Sequence, residues 1–481
     1  MIDIRPVVHI LGWIVVLVGL VMGIPVATDY LEHEAEWRWF AGTSAWAVFL
    51  GVLLILGTYT RERFELTLRQ AFLVTSLGWV TVAVVGALPF LSMDIGFVDA
   101  MFESMSAITT TGSTVLAGLD TLPDGILLWR ALLQWFGGVG ILALAILVLP
   151  LLRVGGMQIF RIESSDSSDL RVFTLFRTVT VLALLYCGMT LGCAVLYAQF
   201  GMSVFDAITH AMTTVSTGGF STHDTSFGHF DSLALLWVAT VFMIGGSLPF
   251  LLYARATTGA WRPMLGDSQV RGFLIFLALT SLGLALWVQH QRDLPFWKAL
   301  GEATFSVTSV VTTTGFVAGD YTEWGPGAIG LFLVLMFVGG CSGSTSGAIK
   351  IYRFQILFLV VRAHVKHLFS PHRVILIKYN GQVLPPDVPT SVLAFLAVFV
   401  ATIGLFTMML TFMGLDLVTA YSASVTAICN VGPGLGDIVG PSGTFETLPD
   451  ASKWLLIAAM LAGRLEVLPL LVAFDPDFWR P

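Results

Sequence analysis

Ten stretches of mostly apolar residues divide this chain: 8–27, 42–58, 70–92, 126–152, 175–199, 232–254, 272–289, 327–349, 389–413 and 452–474. Each is close to the length of about 20 residues that crosses a bilayer's hydrocarbon core. Backbone polar groups in lipid must be satisfied within the segment, so each stretch is expected to be helical. The weak basic flank of the first (Asp3, Arg5) and the spans that follow make it a retained anchor and not a cleaved signal peptide. Of the 481 residues, 56% are hydrophobic and 11% charged, where soluble domains carry about 25% charged residues. One globular core cannot hide that surplus. The expected fold class is therefore an all-α polytopic membrane protein with ten transmembrane helices. Soluble enzymes, secreted modules and disordered chains are excluded. A net charge of −7 argues against nucleic acid as a partner. Cys187, Cys193, Cys341 and Cys429 lack metal-ligand spacing and read as reduced thiols.

Most of the 24 Lys and Arg residues fall on one side if both termini are cytoplasmic, including Arg61, Arg63, Arg153, Arg161, Arg171, Arg177, Arg262, Arg271, Arg362 and Arg373. The other side collects acid: Glu32, Glu34, Glu36, Asp99, Asp206, Glu302, Asp320 and Glu323. These are solvated loop charges or the wall of a cation-attracting vestibule.

Four outer loops share one pattern. Aligned on Gly112, Gly219, Gly315 and Gly432, each has a β-branched residue four positions earlier (Ile108, Val215, Val311, Ile428). A small hydroxyl stands six earlier (Ser106, Thr213, Ser309, Thr426) and alanine twelve earlier (Ala100, Ala207, Ala303, Ala420). Asp99, Asp206, Glu302 and Thr419 precede the alanines, at positions that suit a helix N-terminus. A second mark lies in each following stretch: Gly137-Gly138, Gly245-Gly246, Gly339-Gly340 and Ala462-Gly463. The repeat is helix, re-entrant helix with loop, helix, in the same orientation each time. Four such units surround one axis, and the first two spans form an accessory hairpin. The boundaries are 1–60 for the hairpin, then 61–160, 161–262, 263–362 and 363–481 for the units.

Irregular backbone at membrane depth must be buried in protein or line a water-filled cavity. Glycine turns carbonyls inward at angles closed to other residues, and a carbonyl ring can replace the hydration shell of a potassium-sized cation. The expected filter is Thr110, Thr111 and Gly112; Thr217, Gly218 and Gly219; Thr313, Thr314 and Gly315; and Asn430, Val431 and Gly432. The carbonyls of Thr110, Thr111, Thr217, Gly218, Thr313, Thr314, Asn430 and Val431 are the expected K⁺ ligands.

Thr110-Thr111-Gly112-Ser113-Thr114, Ser216-Thr217-Gly218-Gly219-Phe220-Ser221, Thr313-Thr314-Gly315-Phe316 and Asn430-Val431-Gly432-Pro433-Gly434 resemble the four pore loops of the Trk/Ktr/HKT superfamily of potassium transporters. With the extra hairpin and this length, the chain is most similar to the Trk-type potassium-uptake membrane subunits. That resemblance implies a gated K⁺ pore in a bacterial inner membrane and assembly as a homodimer. It also implies docking of a cytosolic, nucleotide-binding regulatory subunit of the TrkA type. Any nucleotide (ATP/ADP or NAD(H)) belongs to that partner, and no cofactor is expected on this chain. Glycine at 112, where family members that pass sodium carry serine, implies K⁺ preference, with Rb⁺ accepted and Na⁺ less so.

Gly339, Gly340, Ser342, Gly343, Ser344, Thr345, Ser346 and Gly347, with Cys341 among them, make a poor helix interior. A break is expected there, under the third loop, forming either a mobile gate or a packing surface between close helices. The segment lacks the Lys-Ser/Thr pair of a phosphate-binding loop and the central serine of a nucleophile elbow, so an enzyme is not expected. Arg464 follows the second mark of unit four, where a charge at mid-membrane is costly. It either pairs with Glu466 or forms a positive barrier below the filter. In the resembling family a corresponding arginine fits the second role. His364, His367 and His372 lie on a basic cytoplasmic stretch suited to a docking partner. The rival reading is Na⁺- or H⁺-coupled secondary K⁺ symport, which needs an ionisable or ion-specific second site at mid-depth.

Overall fold

The computed structural model describes residues 3–60, 66–144, 168–257, 259, 261–372 and 374–480. Of the basic residues named above, Arg61, Arg63, Arg153, Arg161 and Arg373 lie outside them, as does the end of the fourth stretch beyond 144.

The described chain is mostly helical. Seven helices are long and apolar enough to cross a membrane: Arg5–Leu31, Trp37–Gly57, Arg69–Met93, Asp124–Ala143, Thr178–Gln199, Ser268–Arg292 and Asp387–Phe412. An eighth counts if Leu233–Ser247 and Phe250–Ala256, bent by 93°, form one span. The ten continuous helices expected from hydropathy are therefore not all present among the described residues. Pro249 follows the bend, where its ring and missing N–H end a helix. The eighth stretch is helical only over Pro326–Leu335. Val338–Gly339 then pairs in parallel with Ile349–Lys350, closing a loop. The tenth stretch is Asp450–Arg464 followed by Leu468–Phe474, with Glu466 and Val467 both at positive φ between them.

Exposure is inverted relative to a soluble protein. Leu184, Leu191, Leu279 and Phe412 stand exposed on long helices, while Thr111, Thr217, Thr314 and Asn430 are fully buried. Apolar side chains face outward because lipid, unlike water, does not penalise them.

Four short helices, Phe97–Ile108, Val204–Val215, Phe296–Val311 and Leu417–Cys429, lie inside the bundle. Ser203 and Asp416 cap the second and fourth, accepting from backbone N–H groups of the first turn. The third begins at Phe296 behind Pro295. Glu302 is therefore interior and not the N-terminal residue the repeat suggested. The first two long helices pack as a hairpin, with a Cβ on Gly12 meeting the Gly51 carbonyl at 3.0 Å. The four cysteines are free.

Candidate functional site

Each buried helix ends in the same turn. The N–H of the residue before the aligned glycine donates to the carbonyl of the small-hydroxyl position: Thr111 to Ser106 (2.8 Å), Gly218 to Thr213 (2.8 Å), Thr314 to Ser309 (2.8 Å) and Val431 to Thr426 (3.0 Å). The repeated hydroxyl position holds each turn through its backbone carbonyl, and in the third Ser309 Oγ also donates to Phe316 O (2.7 Å). Two residues before each glycine the chain enters the left-handed region, at φ 52° for Thr110, 52° for Thr217, 58° for Thr313 and 55° for Asn430. Gly112, Gly219, Gly315 and Gly432 follow at 85°, 80°, 82° and 112°. A β-branched residue at positive φ is strained, by about 1–3 kcal/mol. Such strain persists only where surrounding contacts impose it.

The four turns close on one another. A Cβ on Gly112 would overlap the carbonyl oxygen of Gly218, one on Gly219 that of Thr314, and one on Gly315 that of Val431. A Cβ on Gly432 would meet the oxygen of Thr111 at 2.9 Å, completing the circuit. Ser113 Oγ donates to the Gly432 carbonyl (2.7 Å) and Asn430 Nδ2 to Thr111 Oγ1 (2.9 Å). All twelve expected filter residues are brought together. Thr111 and Thr314 side chains are tied back to Thr109 and Thr312 (2.7 and 2.8 Å). The C-terminal ends of four helix dipoles converge on this ring, where they favour a cation.

The second register mark has a contact to explain it. A Cβ on Gly137 or Gly463 would overlap the carbonyl of Ile108 or Ile428, and one on Gly246 would stand 2.8 Å from that of Val215. These glycines seat the ends of the first, second and fourth buried helices against the helices that follow. In the third unit the helix breaks here, and Gly340 meets Ser346 and Ser247 instead.

The loop 339–347 packs beneath the ring. Cys341 N–H donates to Ser247 O (2.9 Å), Thr345 N–H to Gly246 O (3.1 Å) and Ser342 N–H to Gln269 Oε1 (2.9 Å). Thr345 Oγ1 lies 3.2 Å from Thr217 Oγ1, and Gly347 N–H donates to Thr313 Oγ1 (2.7 Å). Ser344 and Ser346 hydroxyls lie 2.9 Å apart. Phe250 N–H donates to Gly343 O (2.9 Å) and Ala348 N–H to Cys429 O (2.9 Å). Gly339 lies in the short parallel pair. Arg464 Nη1 donates to Thr345 O (3.1 Å), while its Nε and Nη2 are buried without hydrogen-bond partners. It does not pair with Glu466, which is held by Arg353 (2.5 Å).

Sequence reasoning missed the residues behind the ring. Gln134 Nε2 donates to Gly218 O (2.6 Å), and its Oε1 accepts from Phe220 N–H (3.1 Å). It fills the space left by the absent side chain at 218, where the other turns carry Thr or Val. Fully buried Glu103 accepts from Arg130 Nε (2.7 Å), Thr114 Oγ1 and Val115 N–H (3.0 Å each). Arg130 donates onward to Ser221 O (2.9 Å), tying the first turn to the second. Their polarity in apolar helices was the available signal. Of the acids expected on the outer side, Asp99 pairs with Lys453 (2.5 Å), Glu323 with Arg292 (3.6 Å) and Glu302 with Lys298 (4.0 Å). His364, His367 and His372 are exposed.

A family profile described as TrkH, cation transport protein, matches residues 40–480. The Trk system potassium uptake protein TrkI of Halomonas elongata is 42% identical over 99% of this chain and 97% of its own length. TrkH of Escherichia coli K12 is 36% identical over 99% of each. The crystal structure of the potassium transporter TrkH from Vibrio parahaemolyticus superposes with a TM-score of 0.92 at 34% identity, covering 100% of both chains.

Proposed function

The chain belongs to the TrkH family of cation transport proteins, and from that membership we propose that it is a gated K⁺ pore. It is a multi-pass membrane transport protein and not an enzyme. The observation that carries the pore reading is the closed circuit from Gly112 through Gly218, Thr314 and Val431 to Thr111 and Gly432. The carbonyls preceding the glycines replace water around a dehydrated K⁺ or Rb⁺. Gly218 O, already accepting from Gln134, offers its remaining lone pair.

Loop 339–347 and Arg464 form the closed gate. The loop occupies the space beneath the ring, and the guanidinium holds positive charge there. Ten crossings follow if the broken stretches at 232–254, 327–349 and 452–474 each traverse the bilayer. Four units around the pore and both termini inside an inner membrane belong to the same reading. So do a homodimer and a cytosolic nucleotide-binding regulator meeting exposed residues such as Arg362 and His364. A coupled symporter needs a second ionisable or ion-specific site at mid-depth, and the buried acids are not free to serve as one. Glu466 is held by Arg353 and Glu103 by Arg130, which favours the pore.

Reconstitution into liposomes under opposed K⁺ and Na⁺ gradients tests the proposal. K⁺ and Rb⁺ fluxes well above Na⁺ flux are expected. Equal fluxes, or K⁺ flux that runs only while a Na⁺ or H⁺ gradient drives it, would overturn it.

A further inference from the structure

Past the ring, the outer segments after Gly112 and Gly219 bring three metal-ligating side chains together. Asp120 sits in the turn Leu119–Thr121, His223 follows the second ring turn, and His229 ends the turn Ser226–His229. His223 Nδ1 lies 2.5 Å from Asp120 Oδ1, and His229 Nδ1 lies 3.9 Å from the same oxygen. One ligand atom from each of the three residues falls within 4.8 Å of the other two. The two imidazoles stack at 3.5 Å with planes 2° apart. On the far side of His223, Nε2 is buried without a hydrogen bond, 3.5 Å from Asp206 Oδ1. The two segments are tied independently, since Leu119 N–H donates to Asp224 Oδ1 (3.0 Å).

A neutral imidazole carries one N–H. With that proton on Nδ1, His223 donates to Asp120 and leaves a buried Nε2 lone pair facing the Asp206 carboxylate at 3.5 Å; with it on Nε2, the Nδ1 lone pair faces Asp120 instead. Either way one nitrogen lone pair of His223 points at a carboxylate, and a cation relieves the contact. A metal ion at Asp120 Oδ1 is the cation that also engages His229, whose Nδ1 faces the same oxygen at 3.9 Å. Two imidazole nitrogens and a carboxylate oxygen are a ligand set for a zinc-class ion, with water completing a tetrahedron. A carboxylate behind the ligating histidine is the usual outer support of such a centre. Alkali cations prefer oxygen donors and do not select imidazole.

We propose that Asp120, His223 and His229 bind one divalent transition-metal ion of the zinc class at the outer face, stapling the first and second outer segments. Ligation requires the His229 ring to turn out of its stack, because a metal must lie near the plane of each ligating ring. At 47% exposure that side chain has room to do so. The site stands whatever ion the ring conducts.

Tag-free full-length protein in detergent, stripped of metal, is titrated with Zn²⁺ alone by calorimetry and with Co²⁺ by visible absorption. One saturable site per chain is expected. H229A and D120N should each weaken it at least tenfold at unchanged melting temperature, and the Co²⁺ absorption should fade with them. A double H364A/H367A variant should bind as the parent does. Absence of a saturable site, equal affinity in H229A and D120N, or loss only in the double variant would each overturn the proposal.

Discussion

The carbonyl oxygen of Gly218 occupies the place where a Cβ on Gly112 would stand. The first turn therefore tolerates no side chain without moving the second. At φ 85° an L-residue is also strained, by about 1–2 kcal/mol. Gly112→Ala should displace Gly218 O and lower the K⁺ over Na⁺ flux ratio in liposomes about tenfold or more. A folded variant with parental selectivity would separate this glycine from ion discrimination.

Gln134 makes the second turn unlike its counterparts. Its carboxamide bridges Gly218 O and Phe220 N–H, whereas the first turn is braced by the hydroxyl pair of Thr109 and Thr111. Gln134→Leu keeps the bulk and removes both bonds, leaving a buried N–H unsatisfied at a cost of about 1–3 kcal/mol. A lower melting temperature and a reduced K⁺ over Na⁺ ratio are expected together. A fall in melting temperature with unaltered selectivity would mean that the two bonds stabilise the fold without tuning the ring.

What could be read in the residue order is what backbone geometry imposes locally. The glycines at 112, 219, 315 and 432 stand at positive φ against a neighbouring carbonyl, so each leaves a mark at a fixed offset. Gly137, Gly246 and Gly463 mark close approach to the ends of buried helices in the same way. Pairings without periodicity left no such trace. Gln134 to Gly218 and Arg353 to Glu466 join distant segments, and only the fold brings them together. Hydropathy windows also cannot register a 93° bend or a short parallel pair, so stretches that read as continuous spans proved broken.

Glu103 and Arg130 form a buried pair, both essentially inaccessible to solvent. Removing one partner leaves an uncompensated charge, at about 3–5 kcal/mol. Glu103→Leu and Arg130→Leu should each abolish folding or lower thermal stability in detergent severely. The double variant should recover a substantial part of the loss, because no lone charge remains. If the two single losses simply add, the pair is not coupled. Residual instability in the double variant is expected from Ser221 O and Val115 N–H, which lose their partners.

Arg464 meets the loop beneath the ring through one nitrogen, donating to Thr345 O, while Nε and Nη2 have no partner. Buried guanidinium groups normally satisfy their donors, so this one is held at a cost in desolvation. In the proposed closed gate this arrangement would act in two ways. The bond to Thr345 O would pin the loop against the helix that carries Arg464, and the positive charge would repel a cation leaving the ring. Arg464→Ala removes both effects together with the unsatisfied donors, so the variant should fold at least as stably as the parent. Basal ⁸⁶Rb⁺ flux into liposomes, without any regulatory partner, should rise several-fold. Arg464→Lys keeps the charge on a shorter donor set and should fall between the two. Parental flux in a well-folded Arg464→Ala variant would assign this arginine a purely structural role and leave the barrier to the loop alone.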